Sequence, residues 1–445
     1  NNLPGPPVPM GGGSIGQQVH IPVFMIGMAD GEAWRAALDD GASLTVLLGN
    51  KDGYFGHDVG LRKSDVLLPT ALAFPNWLAA QSGDHVVSLG AMVHNYGSDP
   101  NEAVALRAVV LQDGETMYDE TTLPFPLEPG DSLMVLLPDW VQSSYAGRYQ
   151  LTYTVVSGID QHELDNHFSI PLDFSDRFAL VPTDPTGAPV STIGMKPAQS
   201  DGIYESCIHF RDPHASRIAI TGIDRQVSVN EPLQLEGDVV FTRVYEWTDP
   251  FATMDDAGFG FTQVSLAAED EHVITAPGNS ATLHLPFTEP LLLQDNMRYL
   301  FCTATNNPSV FFGYHEHVSF RMNEALHGQP TSPLRNGTNW FLRFVGGPVA
   351  SLGLRAVDAN SIGIQEEQAL AARAFPNPSE GIFHLVLDSP EQAELIVRDV
   401  LGREVLRQHA VSGMTTLDLS QESPGAYMAT VIGASGSQSL RLVVE

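Results

Sequence analysis

Phe375-Pro376-Asn377-Pro378 opens a stretch that continues Gly381-Ile382-Phe383-His384-Leu385-Val386-Leu387-Asp388 and then Ile396-Val397-Arg398-Asp399-Val400-Leu401-Gly402-Arg403-Glu404-Val405. Apolar and polar residues alternate in short runs cut by Gly and Pro, as strands do when one face is buried and tight turns join them. Asp399 to Arg403 suits a hairpin in which Gly402 supplies a positive φ. Leu417-Asp418-Leu419, Pro424-Gly425-Ala426-Tyr427 and Leu440 to Val444 extend the same pattern. Residues 374–445 therefore read as a small antiparallel sandwich.

Composition carries that reading to the rest of the chain. At 445 residues there is room for several domains, and 40 Gly and 31 Pro with 17% charged residues mean many turns and few long exposed helices. The expected fold is mainly all-β and multi-domain. A formal net charge of -31 repels phosphates, and no run of Lys or Arg offsets it, so nucleic acid is not an expected partner. No run of eighteen apolar residues marks a transmembrane segment, and Asn1 is not followed by a basic and then an apolar leader, so a mature or truncated product is expected. Cys207 and Cys302 both sit in strand-like text and could form one disulfide in an exported protein; two buried thiols are the alternative.

The chain divides into blocks. Residues 1–75 read as α/β, with a strand at Ile21 to Ile26, a helix from Ala29 to Leu38 opened by acidic residues that suit its dipole, and a strand at Leu44 to Leu48. Residues 84–175 are strands alone, separated by turns such as Asp113-Gly114 and Pro129-Gly130 at the spacing of an immunoglobulin-like sandwich. Residues 177–357 hold eight strand candidates, among them Phe259 to Ala267 and Val318 to Met322, which favours a jelly roll or a large two-sheet sandwich. Residues 358–373 read as a linker.

The terminal segment resembles the type A sorting domain of type 9 secretion cargo in Bacteroidetes. Phe375, Pro376, Asn377, Pro378, Gly381, Asp399, Gly402, Arg403, Pro424, Gly425 and Tyr427 carry the resemblance. It implies a translocon, shuttle and sortase as partners, and a destination outside the cell or on the outer-membrane surface. The Ile21-Pro22-Val23 strand with Asp30-Gly31-Glu32 and its alanine-rich helix resembles part of a protease-associated domain, whose first half is missing. Asn95-Tyr96-Gly97 and Asp165-Asn166-His167-Phe168 resemble adhesion-type immunoglobulin-like domains of bacterial surface proteins.

No constellation stands out as catalytic or metal-binding. His162 and His167 are five apart, whereas two ligands on one helix face need four. His315 and His317 share a strand face and would need a third ligand such as His209 or His284. Gly11-Gly12-Gly13-Ser14 lacks the Lys of a phosphate loop, and Gly-x-Ser-x-Gly is absent. Asp255-Asp256 and Glu269-Asp270-Glu271 read as solvated loops; the second could take calcium with backbone carbonyls, and no other cofactor is expected. Trp77, Trp140, Trp247, Trp340 and the Phe311-Phe312-Gly313-Tyr314 ridge could stack on sugars or anchor a partner, though core is the ordinary place for them. The expectation is a non-enzymatic structural or adhesion protein that contacts itself or surface polysaccharide. The alternative is the non-catalytic C-terminal portion of a secreted peptidase.

Overall fold

The computed structural model describes residues 28–44, 51–199, 202–344, 346–362, 372–387, 393–410, 413–433 and 436–445. The helix read near the N-terminus is Met28–Asp39. The strands expected on either side of it, and the Gly11 to Ser14 loop, lie outside the described residues apart from Leu44.

Strands build everything that follows. The first sandwich pairs Val87–Asn95 with Ser132–Trp140 on one edge and with Val59–Gly60 and Val66–Leu67 on the other. Its second layer is formed by Asn101–Gln112, Glu115–Thr121, Gly147–Val156 and His167–Ser175. Alternation explains the packing: in Gly147–Val156 the residues Tyr149, Leu151, Tyr153 and Val155 point inward while the intervening polar residues do not.

The second sandwich faces Ile218–Ser228, Phe311–His315 and Leu352–Asp358 against a six-stranded sheet ordered Val264–Val273, Val239–Trp247, Tyr299–Thr305, Tyr204–Phe210, Leu334–Asn336, Asn339–Phe341. Cys207 and Cys302 are opposite each other on adjacent strands of this sheet and are joined as a disulfide.

The two sandwiches do not part where the sequence suggested. Ala73–Pro75 runs parallel to Asp173, Phe174 and Ser175, and Ala73 also pairs with Ala179. Arg177–Ala179 in turn pairs with Gly353 to Arg355. Two three-residue strands thus stitch the halves into one 13-stranded sheet among the described residues. One core follows, running from Val59 to Ala356. The boundary drawn at 175–177 is a turn within that sheet, and the one at 75–84 holds the 3-10 helix Asn76–Ala79, which leads from that sheet to Val87–Asn95 in the smaller one.

Three local readings are corrected. Val318 to Met322 is not a strand; Arg321–His327 is a helix that Gly328 ends at φ 63°. The strand expected from Phe259 begins only at Val264. Within the expected linker, Ala359–Ile362 forms a helical turn and Ala372 already opens the next strand.

Residues from Ala372 onward form two sheets around their own core, which includes Phe383, Leu385, Leu395, Val397, Leu417 and Val431.

Candidate functional site

A cavity of about 250 Å³ opens where the two sandwiches meet. Leu68 and Val86 come from the first sandwich, and Phe178, Leu180 and Phe320 from the second. All but Val86 are buried, so the floor is apolar and fixed by core packing. Thr70 and Ser88 add hydroxyls from the first sandwich, and the second supplies His209 and Arg211 at the end of Tyr204–Phe210, Asn323 and His327 on the short helix, and Gln329 just after it.

Each polar group is held differently. Asn323 is spent on the backbone of Leu68, accepting from its N–H at 3.1 Å and donating to its carbonyl at 2.7 Å. Arg211 donates through Nε to the Asn296 carbonyl at 2.9 Å, and no carboxylate among the described residues pairs with it. Gln329 accepts from Arg298 and donates to the Ala252 carbonyl. His209 has no partner for Nε2, and burial, then Arg298 and Arg211, push its pKa down to about 3. It is a neutral imidazole beside two guanidiniums.

The residues singled out in sequence fall elsewhere. His162 stacks on Phe55 at 5.5 Å, whereas His167 Nδ1 meets the Thr154 hydroxyl, so the pair does not converge. His315 and His317 lie edge to face at 5.7 Å, with His315 at the end of its strand and held by burial at a pKa of about 4. His284 is engaged by Asp224 at 3.0 Å. Among the described residues the only convergence of three metal-type ligands is Glu205 with Cys207 and Cys302, and disulfide sulfurs offer no thiolate. Glu269, Asp270 and Glu271 lie within the edge strand Val264–Val273 instead of a loop, with Glu269 on Arg243 and Asp270 on Thr288. Asp256 accepts from the Ala252 and Thr253 amides. Trp140 and Trp247 are core; Trp247 stacks on Phe261 at 4.7 Å, and Phe261 on the half-buried Trp340 at 5.0 Å. Trp77 is half-buried against the main core, as is Phe311 beside its strand neighbours, while Phe312 and Tyr314 are buried.

Sequence reasoning missed the cavity itself. Its lining comes from segments near 68, 86, 178, 209 and 320–331, and no local pattern joins them.

The terminal domain shows what its motif residues do. Phe375 ends the strand Ala372–Phe375 opposite His384. Asn377 follows Pro376 and precedes Pro378; its Nδ2 donates to the Arg441 carbonyl at 2.6 Å and its Oδ1 accepts from the Val443 N–H at 2.9 Å, clamping the last strand. Gly381 has φ 104°, and a Cβ there would lie 2.6 Å from Ser420 Cα, so no other residue fits. Asp399 caps its hairpin by accepting from the N–H groups of Leu401 and Arg403, each at 2.9 Å, and from Arg403 Nε at 2.7 Å; Gly402 has φ 80°. Pro424 precedes the strand Gly425–Gly433, in which the buried Tyr427 donates its hydroxyl proton to the Ser423 carbonyl.

Residues 373–445 match the family described as the secretion system C-terminal sorting domain. The chain is thus cargo of type 9 secretion, carried to the cell surface or the extracellular space, and no helix among the described residues is long and apolar enough to cross a membrane. No curated protein matches it significantly. Among solved structures it is similar to a CARDB domain from Pyrococcus furiosus in complex with di-metal ions (15% identity, 27% of this chain and 94% of that one, TM-score 0.20). A biofilm-associated protein BSP domain shares 10% identity over 90% of this chain and 84% of its own, with TM-score 0.19. A β-glucuronidase from Ruminococcus gnavus shares 8% over 58% and 39%, with TM-score 0.15. Likenesses this slight carry no argument about what this chain does.

Proposed function

We propose that this exported protein is not an enzyme and works by contact, as a surface or matrix component that assembles with copies of itself. The observation that supports the reading is an open sheet edge. Ser132–Trp140 pairs with Val87–Asn95 along one side, and no strand among the described residues pairs along the other. Two other edge strands are guarded by acids: Glu115, Asp119 and Glu120 in one, and Glu269, Asp270 and Glu271 in the other. Ser132–Trp140 carries a single charge, Asp139, and exposes Leu133 and Leu136 at 43% and 57%. Pro138 interrupts the edge near its end and its carbonyl accepts from the Tyr118 hydroxyl, so the template for strand addition is the uncharged, apolar stretch Ser132–Leu137.

Sedimentation of the full chain tests this. The wild type forms concentration-dependent oligomers, and the Leu133→Lys/Leu136→Lys double variant stays monomeric with an unchanged melting temperature. A wild type that is monomeric at every concentration overturns the assembly.

A further inference from the structure

We infer that the cavity between the sandwiches is a binding site for a small organic monoanion, a carboxylate carried on a single apolar ring. The inference stands apart from the assembly reading, since the edge strand Ser132–Trp140 contributes nothing to the cavity.

Charge is the first argument. The chain has 53 acidic residues against 22 basic ones, yet none of the fifteen described residues lining the cavity is Asp or Glu. Arg211 stands at this lining with no carboxylate partner among the described residues. The guanidiniums of Arg107, Arg217, Arg243 and Arg355 are each paired with an acid, whereas Arg225 and Arg298, like Arg211, hold neutral partners. In so acidic a chain, an unpaired arginine beside an acid-free hollow attracts an anion from solution.

Hydrogen-bonding capacity is the second. The His209 ring is neutral and already donates to the Pro330 carbonyl, so its partnerless Nε2 is an acceptor that adds no donor for a carboxylate, and the anion is left to Arg211. Arg211 has its Nη groups left to offer a carboxylate two parallel bonds.

Shape sets the rest of the ligand. Leu68, Phe178, Leu180 and Phe320 form a buried apolar floor. An apolar cavity of about 150 Å³ takes a benzene ring. The 250 Å³ here holds one ring together with its carboxylate. The Asn323 clamp on Leu68 joins the two sides of the cavity, so the site is formed before any ligand arrives.

The test is a ¹⁹F NMR titration of the full chain with 4-fluorophenylacetate, with neutral 4-fluorophenylacetamide as the matched control. For a ligand of this size the expected dissociation constant is about 0.1 to 1 mM. Arg211→Ala weakens binding about tenfold or more, and so does the change from carboxylate to amide. Val86→Trp fills the mouth from a partly exposed position and abolishes binding of both probes. Both variants keep the wild-type melting temperature. No line broadening by the carboxylate up to about 10 mM overturns the inference. So does equal binding of acid and amide, or binding that survives both substitutions.

Discussion

Asn323 closes two hydrogen bonds on the backbone of Leu68, a residue 255 positions away in the chain. Both residues are buried, so the pair is a small piece of β-like pairing made by a side chain at the seam between the sandwiches. Asn323→Ala leaves the Leu68 N–H and carbonyl buried without partners. The expected loss is about 2 to 4 kcal/mol, read from the midpoint of urea unfolding. Affinity for the carboxylate probe falls with it, because the cavity walls are no longer held together.

Acid sensitivity is expected to come from histidines that burial keeps neutral, His85 among them beside His209 and His315. The His85 ring sits 4.2 Å from Phe74 and 5.5 Å from Tyr145 and Phe174, and burial pushes its pKa down to about 4. The unfolded chain, with an ordinary histidine pKa, binds the proton first as pH falls. Stability contributed by neutral His85 is therefore complete above about pH 6.5 and is lost between there and about pH 4, by about 3 kcal/mol. His85→Phe flattens the pH dependence of the melting temperature in that window. A parallel curve for the variant would show that other groups dominate.

Arg225 is fully buried in the second sandwich, its Nη2 donating to Ser206 Oγ at 2.8 Å while Nε and Nη1 have no hydrogen-bond partner among the described residues. It lies over the rings of Phe312 and Tyr314 at 4.9 and 5.4 Å, and burial lowers its pKa. An uncompensated buried cation costs more than its few contacts return. Arg225→Met keeps the volume and is expected to stabilise the fold by about 1 to 3 kcal/mol in urea unfolding.

Cys207 and Cys302 are 95 residues apart in sequence, so their bond removes a long loop from the unfolded ensemble. The Cys207→Ser/Cys302→Ser variant is expected to lose about 2 to 5 kcal/mol, and reduction of the wild type lowers its stability to match. Equal stability with and without reductant would contradict this.

What the sequence made legible follows from where each feature gets its information. The terminal domain could be read because its alternation and its turns are local: Asp399, Gly402 and Arg403 form one hairpin within five residues. Most strand positions were legible for the same reason, Val239–Trp247 falling where the apolar pattern puts it. The joining of the sandwiches was hidden, because Ala73–Pro75 and Arg177–Ala179 are three residues each and take their meaning only from partners far along the chain. Val318-Ser319-Phe320 alternates like a strand, and the helix that follows is announced only by Gly328 at its end. The cavity was invisible because it belongs to no single segment. Arg211, its one unpaired cation, sits in sequence as part of an ordinary loop, Arg211-Asp212-Pro213-His214.

The claim that this exported body works by strand-to-strand contact is tested most directly by amide hydrogen exchange on Ser132–Leu137 as protein concentration rises. Salt should favour association by screening the repulsion of a chain with net charge -31, so the comparison is made at low and at physiological ionic strength. The account predicts that these amides gain protection with concentration, more so in salt, and that Leu133→Lys/Leu136→Lys removes the gain. Exchange at this strand that stays the same from dilute to concentrated protein, in the wild type and at both salt levels, would contradict it.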